Sequence, residues 1–123
     1  MSQAVGCLDI TLVCGSVSMA TVQYHFVKLD TDGTILVGGT GGVCIGILQN
    51  NPTIGKAALV RVLGTSKLVM SATCDELDQL KSIAGAGVKV NGDNNWVGAI
   101  ALEAATAVSD IIEVLVTHFY HTQ

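Results

Sequence analysis

The stretch Val43–Lys67, VCIGILQNNPTIGKAALVRVLGTSK, contains two strand patterns separated by turn residues. Apolar side chains alternate with smaller ones over Val43–Leu48, and apolar residues alternate again over Leu59–Leu63. Between these runs lie Asn50-Asn51-Pro52 and Gly55, which favour turns because Asn and Gly tolerate left-handed backbone and Pro fixes φ. The pattern predicts two strands joined as a hairpin or by a wide loop, with a tight Gly-Thr-Ser exit before the final lysine.

A degraded copy of this stretch occurs later in the chain. When Gly46 is aligned with Gly98, the segment Val60–Leu63 falls on Ile112–Leu115 without a gap. Both segments read apolar, charged, apolar, apolar, a pattern typical of strands with one face toward solvent. The sequence therefore predicts an internal duplication, with an unduplicated β-domain as the alternative.

Two further matches extend the copy. Residues 50–56, NNPTIGK, resemble residues 103–109, EAATAVS, and Val27–Leu29 matches Val88–Val90. Two such units can pack face to face, so we expect a mainly β fold that forms a small β-sandwich or a partly closed barrel.

Strand patterns also occur outside the quoted stretch. Alternating or β-branched runs predict strands at Cys7–Val13, Val17–Val27, Thr34–Val37, Val88–Val90, Trp96–Leu102 and Ile111–Phe119. The strongest turn signal is the Asn-Gly pair at residues 91–92, which predicts a hairpin between two of these strands. The β-rich assignment therefore extends over most of the chain.

Residues 74–84 break the β pattern. Thr73 precedes Glu76 with the spacing of a capping box, and the leucine and isoleucine residues that follow recur at helical intervals. Gly85 is typical of the position just beyond a helix C-terminus. We therefore expect one short helix near residues 74–84, connecting the two units.

The chain is apolar and weakly charged: of its 123 residues, 50% are hydrophobic and 13% are charged, and the net charge is −4. This length most simply gives one domain, so we predict an arm (residues 1–6), a single β-rich domain (7–119) and a C-terminal tail (120–123). The apolar composition favours burial against further copies or a partner, unless exposed Ala and Gly account for it. Scattered basic residues argue against nucleic-acid binding, and no apolar run reaches the roughly 18–20 residues that span a bilayer.

The reactive side chains have structural interpretations. The four cysteines are widely spaced, which predicts free thiols in a reducing compartment, with a disulfide as the alternative. His118 and His121 would point to opposite faces of a strand, which argues against a metal site. The Gly-rich segment 38–42 leads into a β-branched run, whereas a phosphate-binding loop leads into a helix. The sequence therefore predicts a protein that is not an enzyme and that has no cofactor or metal site.

Lys67 keeps a second interpretation open. Lipoyl and biotinyl carriers hold a lysine at the tip of a hairpin in a duplicated β-sandwich, although its neighbours there differ from Ser66 and Leu68. The alternative function is therefore a small β-barrel binding or carrier module of a cellular assembly.

Short motifs over residues 24–117 resemble those of one family. They are Val27-Lys28 before an Asp-Gly turn, Ile45–Asn50 before Pro52, Val60-Arg61-Val62, Gly64–Lys67, Val97-Gly98, Ala101–Ala105 and Ile111–Val114. With these motifs the chain resembles the tailed-bacteriophage capsid decoration, or cement, proteins of a small β-rich family long known only as a domain of unknown function.

The resemblance implies a β-tulip or β-sandwich fold and a structural virion protein on the outer surface of the expanded capsid. Such a protein is made in the host cytoplasm, forms a homotrimer, and stabilises the shell by bridging subunits of the major capsid protein. We expect contacts through the arm and through the turns of the stretch quoted first, at Ser2, Gln3, Ala4, Val5, Asn50, Asn51, Pro52, Thr65, Ser66 and Lys67.

Overall fold

The computed structural model describes residues 7–15, 17–90 and 95–121. Within these ranges the chain forms nine β-strands and no helix. It follows that none of the described residues belongs to a helix long and apolar enough to cross a membrane. The strands are β1 (Leu8–Val13), β2 (Phe26–Leu29), β3 (Ile35–Val37), β4 (Gly46–Leu48), β5 (Ala57–Val69), β6 (Gln79–Ile83), β7 (Ala86–Lys89), β8 (Asn95–Ala101) and β9 (Ile111–His121).

The strands form an antiparallel sheet that curls into an open half-barrel. Its hydrogen-bonded order is β3-β2-β4-β5-β9-β8-β6-β7, and β1 pairs with β5. The 13-residue strand β5 joins the two parts of the sheet. Its residues 57–63 pair with β1 and β4, and its residues 64–69 pair with β9. The mainly β fold expected from the sequence is therefore confirmed.

Two units with the same strand order make up the sheet. Unit 1, residues 8–63, ends with the first part of β5, and unit 2, residues 64–121, begins with its second part. In each unit the first strand pairs with the last, the last with the fourth, the fourth with the second, and the second with the third. The isolated parallel bridges correspond as well, joining Cys14 to Ile35 and Met70 to Gly87. The chain is therefore a duplicated five-strand unit that shares one long strand.

The loop before the second strand is the same in both units. The Tyr24 amide donates to the Leu48 carbonyl at 2.8 Å, and the Leu77 amide donates to the Ala101 carbonyl at 2.8 Å. Tyr24 and Leu77 have φ values of 65° and 68°, a left-handed conformation that is uncommon for bulky residues. An uncommon conformation repeated at equivalent positions indicates one ancestral loop.

The loops before the last strand of each unit also correspond. Asn50 Oδ1 accepts the Leu59 amide at 3.1 Å, and Glu103 Oε1 accepts the Glu113 amide at 2.9 Å. The second residue after the fourth strand of each unit therefore ties the last strand of that unit to the loop. The predicted match between these two loops is confirmed.

The strands align differently from the gapless match predicted from the sequence. Pairing with the second strand of each unit makes Gly46 equivalent to Ala99 rather than to Gly98. β2 corresponds to β6, so the predicted match of Val27–Leu29 with Val88–Val90, which begins within β7, is wrong. The hairpin between the second and third strands is shorter in unit 2, and a gapless comparison cannot detect that difference.

Each unit has an inner and an outer sheet face, because successive side chains on a strand point to opposite sides. The inner faces are marked by Val27, Leu48 and Val60 in unit 1 and by Leu80, Ala101 and Val114 in unit 2. Phe26 and Ile47, on the outer face of unit 1, are fully buried in the core cluster of unit 2. Unit 1 therefore covers unit 2, and β2 and β4 form a layer that is buried on both sides.

The expected helix near residues 74–84 is wrong. Gln79–Ile83 is strand β6, in which buried Leu80 alternates with less buried neighbours. Leu77 has a φ of 68°, and Ala84 and Gly85 have φ values of 51° and 91° and form the two-residue turn into β7. Left-handed residues end a right-handed helix, and the spacing of apolar residues in so short a segment fits a strand as well.

Two other expected boundaries are wrong. The segment Val17–Val27 was predicted to be one strand, but strand structure begins only at Phe26, because the left-handed backbone at Tyr24 bends the chain before it. The predicted exit at residues 64–66 lies inside β5, which runs on to Val69. The predicted arm, residues 1–6, and the predicted turn at residues 91–94 lie outside the described residues.

Candidate interaction surface

Four of the ten predicted contact residues, Ser2, Gln3, Ala4 and Val5, lie outside the described residues. The other six lie in the loop between β4 and β5 and in the middle of β5. Residues 53–64 separate these two places, so the structure decides whether they form one surface.

In the loop, two of the three predicted residues have structural roles. Asn50 Nδ2 donates to the Ala57 carbonyl at 3.1 Å and helps fix the start of β5. Pro52 is buried, and its carbonyl accepts the Met19 amide at 2.9 Å. Asn51 is exposed, so it is the loop residue available to a partner.

The three predicted residues in β5 are divided in the same way, into two with structural roles and one that is exposed. Ser66 is 3% exposed, and its hydroxyl donates to the Lys67 carbonyl at 2.9 Å. The Thr65 carbonyl accepts Arg61 Nη1 at 3.1 Å. Lys67 is exposed, and its ammonium lies 5.9 Å from the centroid of the Tyr24 ring, within the range of a cation–π contact.

A chain of side-chain hydrogen bonds brings the two places together. Asn51 Nδ2 donates to Gln23 Oε1 at 3.2 Å. Gln23 Nε2 donates to the Gln49 carbonyl at 2.8 Å, and Gln49 Nε2 donates to Ser66 Oγ at 2.8 Å. The exposed Asn51 and Lys67 therefore lie on either side of a fixed polar connection, with Gln23 and Tyr24 of the loop before β2 between them.

Sequence reasoning missed Gln23 and Tyr24. Both lie in a segment that alternates well enough to be a strand, so nothing in the pattern shows that the backbone turns at Tyr24. The available signal is chemical: a glutamine and a tyrosine adjacent to one another in an otherwise apolar segment are residue types often found at interfaces or in polar networks.

An ion pair joins β1 to β5 beside this surface. Arg61 Nε and Nη2 donate to the two oxygens of Asp9 at 2.7 and 3.0 Å, a bidentate arrangement. The hydrogen bond to Asp9 raises the pKa of Arg61, although partial burial acts in the opposite direction. The guanidinium also reaches the Thr65 carbonyl, so it fixes the outer face at the point where β5 passes from unit 1 to unit 2.

Apolar side chains on the outer face are a second feature that the sequence analysis did not assign. Leu59 and Leu63 on β5 are 37% and 52% exposed, and Ile111 and Leu115 on β9 are 52% and 40% exposed. Single exposed apolar residues are ordinary, but several on one side of a sheet indicate a contact surface. The sequence signal that could have identified this face is the alternation of such residues with buried ones along a strand, as Leu59 alternates with Val60 on β5.

A cleft of about 440 Å³ opens at one end of unit 2. Among its lining residues, Asp78 Oδ2 accepts the Asp75 amide at 2.8 Å and lies 3.8 Å from Lys89 Nζ. Burial raises the pKa of the Cys74 thiol, and the carboxylate of Asp78 acts in the same direction. This environment disfavours the thiolate, the reactive form of cysteine.

The other candidate chemical groups have structural partners. His118 Nε2 lies 2.9 Å from the Ile45 carbonyl. The part of the chain that the structure describes contains no group of three or more His, Cys, Asp or Glu that could hold a metal ion. All four cysteines are free thiols, as the sequence predicts: Cys7, Cys14, Cys44 and Cys74.

The geometry defines an open, curled antiparallel half-barrel built from two equivalent units. No protein-family model matches the chain, and no curated protein matches its sequence. Among solved structures, the chain is similar to the head fiber gp8.5 N base of bacteriophage phi29, with a TM-score of 0.66 and 12% sequence identity. The similarity covers 94% of this chain and 99% of that one. At this identity the likeness shows a shared fold, which extends over nearly the whole of both chains.

Proposed function

We propose that this chain is a structural protein of a bacteriophage virion, which binds the outer surface of the expanded capsid and stabilises it by bridging major capsid protein subunits. The observation that carries the proposal is the match of nearly the whole fold to the base of a phage head fiber. The family resemblance in the sequence, which rests on other evidence, points to the same class of protein.

The proposed mechanism is binding by mass action. A protein that binds the expanded shell, and not its dissociated or unexpanded form, stabilises the shell by about 2.7 kcal/mol per site at a free concentration 100 times its Kd. No chemical step is needed, so we propose a non-enzymatic role. Further copies of the chain and the major capsid protein are the proposed partners.

The surface around Asn51 and Lys67 is the proposed capsid contact. Both side chains are exposed, and the hydrogen bonds through Gln23 and Gln49 hold their surroundings in place, which lowers the entropy lost on binding. The residues at 1–6 are the second proposed contact, through strand addition to the capsid. Within the described residues β1 pairs with β5 alone, which leaves its other edge available for such pairing.

The geometry gives no support to the carrier alternative. Lys67 lies inside β5 and pairs in register with Glu113 of β9, whereas a carrier lysine lies at the tip of a hairpin. We therefore retain the virion role as the one proposed function.

The test is co-sedimentation of the purified full-length chain with expanded and with unexpanded capsids of its own virus. We expect saturable binding to expanded capsids and higher resistance of those capsids to heat. The Asn51→Ala/Lys67→Ala variant should bind more weakly, whereas the control Lys89→Ala, which removes an exposed lysine from the far end of unit 2, should bind as the parent does. Failure of the parent chain to co-sediment with expanded capsids would falsify the proposal.

The contribution of the arm is tested separately. A chain lacking residues 1–6 should occupy fewer sites on the expanded capsid at the same free concentration. Unchanged occupancy would remove the arm from the proposal and leave the Asn51 and Lys67 surface in it.

A further inference from the structure

The outer face of β6 and β8 in unit 2 is partly exposed, although the equivalent face of β2 and β4 in unit 1 is covered. Ile47 and Ile100 occupy equivalent positions, because each pairs with the second strand of its unit in the same register. Ile47 is fully buried against unit 2, whereas Ile100 is only partly buried. The duplication therefore leaves one isoleucine covered and its counterpart without a sheet on top of it.

Exposed apolar residues surround Ile100. Leu115, which is opposite Ile100 on β9, is 40% exposed, and Ile111 on the same strand face is 52% exposed. Leu102, directly after β8, is 42% exposed. On β5 the residues opposite Leu115 and Glu113 are Thr65 and Lys67, so the apolar patch ends there. An apolar surface shared by adjacent strands is typical of a protein–protein contact.

The chain itself shows what covers such a face. The outer face of unit 1 is covered by a unit of the same fold, unit 2, through a cluster that includes Phe26 and Ile47. Both inner faces are filled within one chain, so any further sheet of this fold must come from another copy.

The charges around the patch also suit contact between identical chains. Lys81 on β6, Glu113 on β9 and Lys67 on β5, which pairs with Glu113, lie on this face, so the face carries charges of both signs rather than of a single sign. Identical surfaces with a single sign of charge would repel one another, and this face avoids that penalty.

We propose that the outer face of unit 2, centred on Ile100 and Leu115, is the surface through which this chain associates with a second copy of itself. The inference does not rest on capsid binding, since it follows from the duplication and from the exposed face. It assigns to self-association the apolar part of this face on β8 and β9, which is bordered by Lys67, the residue opposite Glu113 on β5.

The test is the molecular mass of the full-length chain in solution, measured by sedimentation and by native mass spectrometry over a range of concentrations. The parent should show a mass that is a multiple of its 12.7-kDa chain mass. Leu115→Asp should weaken association by more than about tenfold, because it places a carboxylate in an apolar contact. Leu29→Asp is the matched control: Leu29 is 49% exposed at the end of β2, outside the patch, and its replacement should leave the mass unchanged.

Circular dichroism shows whether each variant is folded. If Leu115→Asp does not fold, Ile111→Lys at the start of β9 replaces it, with the same expected loss of mass. A parent that stays a single chain at high concentration overturns the proposal, and so does a folded patch variant that keeps the parent mass. Loss of capsid binding without a change in mass would also overturn it, since that result assigns the face to the capsid instead.

Discussion

The contact between Phe26 and Gly98 gives the sharpest test of how the two units pack. Phe26 belongs to unit 1 and is fully buried. Gly98 lies on β8 of unit 2, and a Cβ added there would be 2.6 Å from Phe26 Cε1 and 3.1 Å from its Cζ. Real Cβ atoms do not approach a ring so closely, so Gly98→Ala forces the two units apart or displaces the ring.

The expected magnitude follows from overpacking. Forcing one extra methyl group into a close-packed core costs about 1–3 kcal/mol, and we expect Gly98→Ala to lower the free energy of unfolding by that amount. Phe26→Leu removes the ring atoms that the methyl group would meet and by itself costs about 1–2 kcal/mol through lost packing. In the double variant the methyl group meets no clash, so the combined loss should be smaller than the sum by about 0.5–3 kcal/mol.

The assay is urea denaturation of the parent, both single variants and the double variant, followed by circular dichroism at one protein concentration. Gly42→Ala is the control, because a Cβ at Gly42 has no atom within 4 Å, and it should change the free energy of unfolding by little. Strictly additive losses in the double variant would show that Phe26 does not rest on Gly98 and would refute the packing of unit 1 onto unit 2.

Three further predictions concern the junction, acid stability and the thiols. Gly64→Ala should lower Tm, because Gly64 has a φ of 99° and an added Cβ would lie 2.5 Å from Cys7 Sγ; a Tm equal to that of Gly42→Ala would contradict this. Hydrogen bonds from Thr106 and Ala107 lower the pKa of Asp110 below 3.8. The contribution of the Asp110 carboxylate to stability is therefore present above pH 3.8 and is lost as the pH falls through the lowered pKa. Asp110→Asn should therefore flatten the acid dependence of the free energy of unfolding below pH 3.8, and an unchanged slope would argue against this role. Cys7 is partly exposed whereas burial raises the pKa of Cys44, so mass spectrometry should find Cys7 alkylated first in the folded chain; earlier modification of Cys44 would contradict the burial of its thiol.

Much of the β architecture could be predicted from the sequence. β1 and β3 fall within predicted strands, and β8 and β9 overlap predicted strands with ends that differ by one or two residues, because the alternating or β-branched residues and flanking turn residues act locally. The duplication was also detectable from the shared pattern of Val60–Leu63 and Ile112–Leu115, although the structure makes Val60 equivalent to Val114 rather than to Ile112. The correct alignment of the strands could not be predicted, because the loops and turns differ in length between the two units.

The helix near residues 74–84 was mispredicted for a physical reason. The leucine and isoleucine spacing there satisfies a helix and a strand almost equally, so the local signal does not decide between them. Pairing of β6 with β7 and β8 supplies backbone hydrogen bonds on both edges of the segment. The pairing with β8, which places Leu80 opposite Ala99, lies beyond the local segment, and together with the β6–β7 hairpin it outweighs the local preference.

The candidate contact surface could also be predicted only in part from local patterns. Asn51 and Lys67 were proposed from their turn-rich surroundings, and both are exposed. Pro52 and Ser66 were proposed on the same grounds, but both are buried, because exposure depends on which segments fold over a loop. Gln23, which connects the two places, could not be identified before the bend at Tyr24 was known.

By itself, the sequence determined that this protein is β-rich, duplicated and held together by apolar and small residues, because those properties follow from residue type and spacing. Only the tertiary structure decided that β5 runs unbroken through both units, that β2 and β4 of unit 1 pack their outer face onto unit 2, and that the matching face of unit 2 stays partly exposed. The physical reason is that one unit cannot bury both faces of its own sheet. Which face is covered depends on where the second unit lies, and local patterns of residues carry no information about that position.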